Sequence, residues 1–311
     1  MNEKNQTKVY EIFLLGFKDL HNIKIPLLIL LLLTYCVTIC GNVLIIVLVS
    51  YSKTLQSPMY FFLTQLSISD IMLTTDIVPT TLASMFHDKM VLSFSGCITQ
   101  FYIFGCSEST ECLILAVMAY DRYLAICHPL HYATIMDFDL FLKMSIISWI
   151  FGALIVIITI LALFGLEFCG PNIIDHFFCD LTPILKLSCS ETSKVEMEVF
   201  FLDIFVLILP FIMTVTSYGW IIKTILGLSS NLQRRKAFST CSSHLTVVCI
   251  FYGTLIAIYM ISTRGVSLTI NKVASLLYTV VTPMLNPIIY SLRNKDIKEN
   301  IRKLQTHLRC V

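Results

Sequence analysis

An acid and a base stand side by side at Asp121-Arg122, in the run Met118-Ala119-Tyr120-Asp121-Arg122-Tyr123 that closes a long apolar segment. A charge in mid-bilayer costs ~2.5–3.5 kcal/mol or more, so charges close to a span tend to be functional. Asp121 can lock Arg122, and a signal that breaks the pair frees the guanidinium to act elsewhere. The alternative is an arginine that snorkels to lipid phosphates. Two further carboxylates, Asp70 and Glu111, fall in the middle of apolar segments, where they need protons, a cation or donors. Their matching depth points to a shared water pocket able to hold sodium, or else to protonated structural acids. Glu108 stands three residues before Glu111. Helical spacing puts Phe101, Phe104 or Gly105, Glu108 and Cys112 on one face. Glu108 there reads as a ligand contact for a hydrogen-bond donor or a cationic amine, against a neutral acid bonded to Ser107, Ser109 or a neighbouring helix. Asn286-Pro287 joins a helix break to an amide that can satisfy the freed backbone, with Tyr290 one turn on. Asn42, Asp70 and Asn286 are expected to meet around water, although Asn42 could also serve as simple helix–helix glue.

These groups need elements that cross a membrane. Hydrophobic residues make up 56% of the chain and charged residues only 14%, against about a quarter charged in a soluble domain. Mean hydropathy is +0.81. Apolar windows of the roughly 20 residues a span requires recur at about 24–50, 57–81, 95–127, 140–164, 197–227, 236–262 and 270–292. The fold class read from them is an all-α membrane protein, one seven-helix domain over residues 1–311. Residues 1–23 form the outer leader, 24–292 the bundle and 293–311 the inner tail. The apolar run starts too late for a cleavable signal peptide, so the first helix is expected to stay as an anchor. Asn5-Gln6-Thr7 is a glycosylation triplet, usable with the amino terminus outside. Basic residues such as Arg234-Arg235-Lys236 and Arg293 lie mostly on the opposite side, while acids cancel the outer charge. Residues 295–306 place Ile297, Ile301 and Leu304 at amphipathic spacing, as in a short helix lying on the inner leaflet. A net charge of +2 gives no concentrated basic face for nucleic acid.

Of twelve cysteines, Cys310 lies in the tail and the other eleven fall into two groups. Cys97, Cys169, Cys179 and Cys189 map to the outer side, which the secretory pathway oxidises, and four such residues allow three pairings. Cys36, Cys40, Cys106, Cys112, Cys127, Cys241 and Cys249 read as packing thiols within helices.

The run at Asp121-Arg122 with Ala125-Ile126-Cys127 and Pro129 resembles the olfactory receptor form of the third-helix signature of rhodopsin-like G-protein-coupled receptors. Gly41-Asn42, Pro58-Met59-Tyr60-Phe61-Phe62-Leu63, Leu66-Ser67 with Asp70, Pro210 with Ser217-Tyr218, Lys236-Ala237-Phe238-Ser239-Thr240-Cys241-Ser242-Ser243-His244 and Pro283-Met284-Leu285-Asn286-Pro287-Ile288-Ile289-Tyr290 continue the likeness over nearly the whole chain. The resemblance implies disulfides Cys97–Cys179 and Cys169–Cys189. It implies an upper cavity for small volatile odorants that includes Phe101, Phe104, Gly105, Glu108, Ser109 and Cys112. To these it adds Leu202, Phe205 and Val206, then Tyr252, Leu255, Ile256 and Tyr259, and finally Leu276 and Thr279. The family usually carries a neutral residue where this chain has Glu108. At the inner mouth Asp121, Arg122, Tyr123, Tyr218, His244, Asn286, Pro287 and Tyr290 are implied to form the switch. Its opening at helix 6 admits the carboxyl-terminal helix of a stimulatory, olfactory-type G protein and raises cyclic AMP. A channel or transporter would want pore-lining charge rings or repeated halves. An enzyme would want a His-Glu-x-x-His, a phosphate loop or a comparable set; the chain has none of these.

Overall fold

A computed structural model describes residues 10–17, 23–87, 89–169, 171–262 and 268–309. Seven of its helices are long and apolar enough to cross a membrane: Lys24–Tyr51, Pro58–His87, Phe94–Cys127, Phe138–Phe164, Ser193–Gly227, a sixth starting at Asn231, and Asn271–Arg293. They are numbered here as the first to seventh spans. The third is the most enclosed and packs against the second, fourth and fifth. That position puts Asp121, Arg122, Glu108 and Glu111 on the bundle's axis. The first and fifth spans turn most of their apolar side chains outward, as Ile29, Leu33, Ile212 and Val215 show. Lipid is as apolar as those side chains, so exposure of this kind costs nothing in a bilayer. Cys36, Cys40 and Cys249, expected as packing thiols, also face outward, for the same reason.

Local chemistry sets several helix ends. Ser93 accepts from the Gly96 amide at 3.0 Å and starts the third span. Asp137 accepts from the Leu140 amide at 2.9 Å and starts the fourth. Both satisfy amides that the first turn leaves open. The second span runs six residues beyond its apolar window, through Pro79 to His87. Its end is held by packing: Met85 is buried and Thr81 donates to the Phe177 carbonyl.

Two wide turns interrupt the regular helices. The Leu209 amide donates to the Ile204 carbonyl, and the Thr282 amide to that of Leu277. Each widening directly precedes a proline, Pro210 or Pro283. A proline ring clashes with the carbonyl four residues back and has no proton to donate; one extra residue in the turn relieves both problems.

The amino-terminal leader holds a strand that its polarity did not announce. Strand β1 (Glu11–Leu14) pairs antiparallel with β2 (Met90–Ser93) and parallel with β3 (Ile173–Ile174). Ile12 and Leu14 point inward and are fully buried. Gly16 follows at φ +55°, where a Cβ would meet the Ser84 hydroxyl at 2.5 Å. This sheet and the disulfides Cys97–Cys179 and Cys169–Cys189 cap one end of the bundle, called here the disulfide end. Arg122 marks the other. There a last helix, Lys295–Arg309, leaves the seventh span with Ile297 buried. Asn5 lies outside the described residues.

Candidate functional site

Three polar layers run along the axis. At the Arg122 end, Arg122 Nε donates to Asp121 Oδ2 at 2.9 Å and a second guanidinium nitrogen joins the same carboxylate. The Tyr132 hydroxyl donates to Asp121 Oδ1 at 2.8 Å. Burial, together with the Asp121 charge, pushes the Tyr132 phenol well above its usual range, so it remains a donor. Arg122 also lines a cleft of about 440 Å³ with Tyr60, Lys236, Ser243, Lys295 and Asp296. Tyr218 and His244 meet beside it, hydroxyl to Nδ1 at 2.7 Å, and both are buried. His244 Nε2 and the buried Tyr290 hydroxyl have no hydrogen-bond partner among the described residues. Tyr123 instead turns toward the surface and bonds to His128 at 3.0 Å. Tyr60 and Tyr132 escaped the sequence reading because no spacing ties them to Arg122.

The middle layer joins four spans. Asn286 Nδ2 donates to both oxygens of Asp70, at 3.0 and 3.1 Å. Asn42 Nδ2 donates to the Thr38 carbonyl at 3.1 Å and to the Pro283 carbonyl at 3.4 Å. Glu111 lies beside Asp70. Pro287 touches the first span at Gly41, where a Cβ would approach the ring at 3.0 Å. Asn42 Oδ1, Ser107 Oγ and Glu111 Oε1 are buried without a hydrogen-bond partner among the described residues. Orphaned oxygens beside two carboxylates are the donor set a hard cation prefers. Were a sodium ion bound in this layer, Asp70, Glu111 and Asn42 would supply its oxygens.

The upper layer is a cavity of about 240 Å³ between the third, fourth, fifth and sixth spans. Of the expected set, Phe101, Phe104, Gly105, Glu108, Ser109, Cys112, Val206 and Leu255 line it. Tyr252 is buried one turn nearer the Arg122 end, 4.8 Å from the Phe211 ring. Leu202 packs in the central apolar cluster, Leu276 joins the cluster at the disulfide end, and Thr279 is buried with its hydroxyl on the Ser275 carbonyl. Two residues correct the expectation. Phe205 and Ile256 are 53% and 56% exposed and face away from the cavity. Phe205 falls within the wide turn 204–208, whose extra residue moves the helical phase by about 100°. Ile256 lies about 100° around the helix from Leu255, on the lipid side. The Tyr259 side chain lies outside the described residues. The cavity adds Ile155, Thr159, Asp180, Leu181, Val199 and Asp203. Of these, Asp203 had a visible signal, an acid within an apolar window.

Above the cavity, a second latch joins three segments. Lys272 of the seventh span, 5% exposed, donates to the Gly16 carbonyl at 2.7 Å and to Asp175 Oδ1 at 2.5 Å. Lys272 is thus a buried cation near the start of the seventh span. His176 stacks on Phe177 at 4.7 Å, and burial, then the Lys272 charge, lowers its pKa to about 4.

A sequence model of the olfactory receptor family matches residues 31–307. Human olfactory receptor 11L1 is 46% identical over 98% of this chain and 94% of its own. Human olfactory receptor 10A7 is 45% identical over 97% of this chain and 96% of its own. Squid rhodopsin superposes with a TM-score of 0.75, covering 92% of this chain and 86% of that one at 17% identity.

Proposed function

Because this chain belongs to the olfactory receptor family, we propose that it binds small volatile ligands in the cavity between its third and sixth spans and signals through a stimulatory, olfactory-type G protein. The disulfide end faces outward, with the amino terminus, and the Arg122 end faces the cytoplasm. A ligand that favours one of two bundle states shifts the population toward it. Opening of the sixth span at Lys236 then widens the cleft at Arg122 and admits a helix of the G protein. The resulting messenger is cyclic AMP.

The observation that carries this reading is the Asp121–Arg122–Tyr132 lock at the edge of a 440 Å³ cleft. A guanidinium held by one carboxylate can be exchanged for another partner, and a cleft beside it can receive that partner. The middle layer supports the same scheme. Asp70, Glu111 and Asn42 would hold sodium, whose positive charge would offset the two carboxylates in the resting state.

Replacing Arg122 by Gln tests the reading. In receptor shown to reach the cell surface, ligand-evoked cyclic AMP is expected to fall about tenfold or more, from losing a charge-assisted contact worth ~1.5–3 kcal/mol. An undiminished response would overturn it.

A further inference from the structure

The upper cavity carries three carboxylates, Glu108 from the third span, Asp180 from the disulfide-bonded loop and Asp203 from the fifth span, and no basic side chain shares its wall among the described residues. Asp180 uses one oxygen on the Leu181 amide at 2.8 Å. Glu108 has no ion pair or hydrogen bond among the described residues, and its charged neighbours are all acids: Asp180, Asp203 and, one turn along the third span, Glu111. Ser109, 8% exposed, lines the same wall with a hydroxyl bonded to nothing described. Like charges around a small, largely apolar space repel one another, and a buried donor or acceptor without a partner is costly. Both penalties are relieved by a guest that brings positive charge and N–H donors.

A metal ion does not meet the requirement. No group of three or more metal-ligating side chains converges among the described residues, so the acids are spread around the wall. Spread anions call for cations spread along one flexible apolar chain. We infer that the cavity selects a short aliphatic diamine, one ammonium paired with Glu108 and the other with Asp203, its methylenes lying on Phe104, Val206 and Leu255. This inference rests on the reading of the cavity as the ligand site. Size agrees: about 240 Å³ holds roughly eight waters of ~30 Å³ each, the scale of 1,5-diaminopentane. Access agrees too. Leu181, Val199 and Asp203 also line a wider groove of about 620 Å³, which holds Glu196. Asp203 thus stands between the groove and the cavity. Lys186 on that groove's wall is opposed by Glu196 and Asp203, so two carboxylates face one ammonium along the approach.

The test is ligand-induced thermal stabilisation of purified full-length receptor, which needs no G protein. The ligands are 1,5-diaminopentane, 1-aminopentane and pentane-1,5-diol at neutral pH. The diamine is expected to stabilise at the lowest concentration, the monoamine to need about tenfold more, and the diol to give no shift over that range. Glu108→Gln and Asp203→Asn should each weaken the diamine about tenfold or more and bring it level with the monoamine, while Glu108→Asp retains the order. The two neutral variants lie on different spans, so a folding defect in one leaves the other as the test. The inference is overturned if diol and diamine stabilise alike, if neither variant moves the diamine midpoint, or if the diamine gives no shift. Should the diamine fail while neutral odorants evoke cyclic AMP, this inference alone falls. Should Arg122→Gln still signal while the diamine binds, the coupling reading falls instead.

Discussion

A single carboxylate, Asp121, holds two groups: the Arg122 guanidinium and the Tyr132 hydroxyl. Removing the phenol oxygen leaves the carboxylate short of one donor and loosens its hold on the loop between the third and fourth spans. Tyr132→Phe should therefore raise ligand-independent cyclic AMP by about tenfold or more, as expected for losing a hydrogen bond to a charged group worth ~1.5–3 kcal/mol. Basal signal measured against surface receptor number checks this, and an unchanged basal signal would remove Tyr132 from the lock. The asymmetry between these residues also explains what was legible in the sequence. Asp121-Arg122 stands out because two charges at a span's end are expensive. Tyr132 is eleven residues away in the loop between the third and fourth spans, where an aromatic residue is unremarkable and only tertiary structure returns it to Asp121.

Elements divide in the same way. All seven spans were readable, since an apolar run of about 20 residues has few alternatives to a membrane helix. The wide turns before Pro210 and Pro283 were not, because proline marks a disturbance without stating whether the helix will kink, stop or widen. That lapse misplaced Phe205. The small sheet was missed for another reason: β1 is only four residues long, and its partners come from two distant loops. It supports the lid in which His176 sits among Phe177, Phe178, Ser275 and the Lys272–Asp175 pair. A histidine with a folded pKa near 4 and an unfolded one of about 6.5 binds its proton more readily when unfolded. Stability is then full above pH 6.5 and declines as the pH falls toward 4, by ~3 kcal/mol in all. Thermal unfolding of purified receptor between pH 7 and pH 4.5 should show this decline, and His176→Gln should flatten it. An equally steep profile in the variant would assign the effect to other groups.

For the molecule as a whole, the three polar layers matter only if the spans keep their spacing while one of them moves. Charge and hydrogen bonding are concentrated on the third and seventh spans, yet the seventh is held laterally by the first, where Gly41 meets Pro287 and Asn42 reaches the Pro283 carbonyl. The absence of a side chain at Gly41 brings the first span close enough for that bond. A valine at Gly41 would push the Pro287 ring away, separate Asn42 from its partner and loosen the network through Asn286 to Asp70. Overpacking of this kind costs ~1–3 kcal/mol. Gly41→Val should thus lower the unfolding temperature and reduce ligand-evoked cyclic AMP together. Gly41→Ala, whose single methyl requires a shift of only a few tenths of an ångström, should have a smaller effect of the same sign. The ordering Gly, Ala, Val in both thermal unfolding and signalling is the result that ties the first span to the switch. A valine variant that melts and signals like the parent would mean that the seventh span takes its position from the second and sixth spans alone.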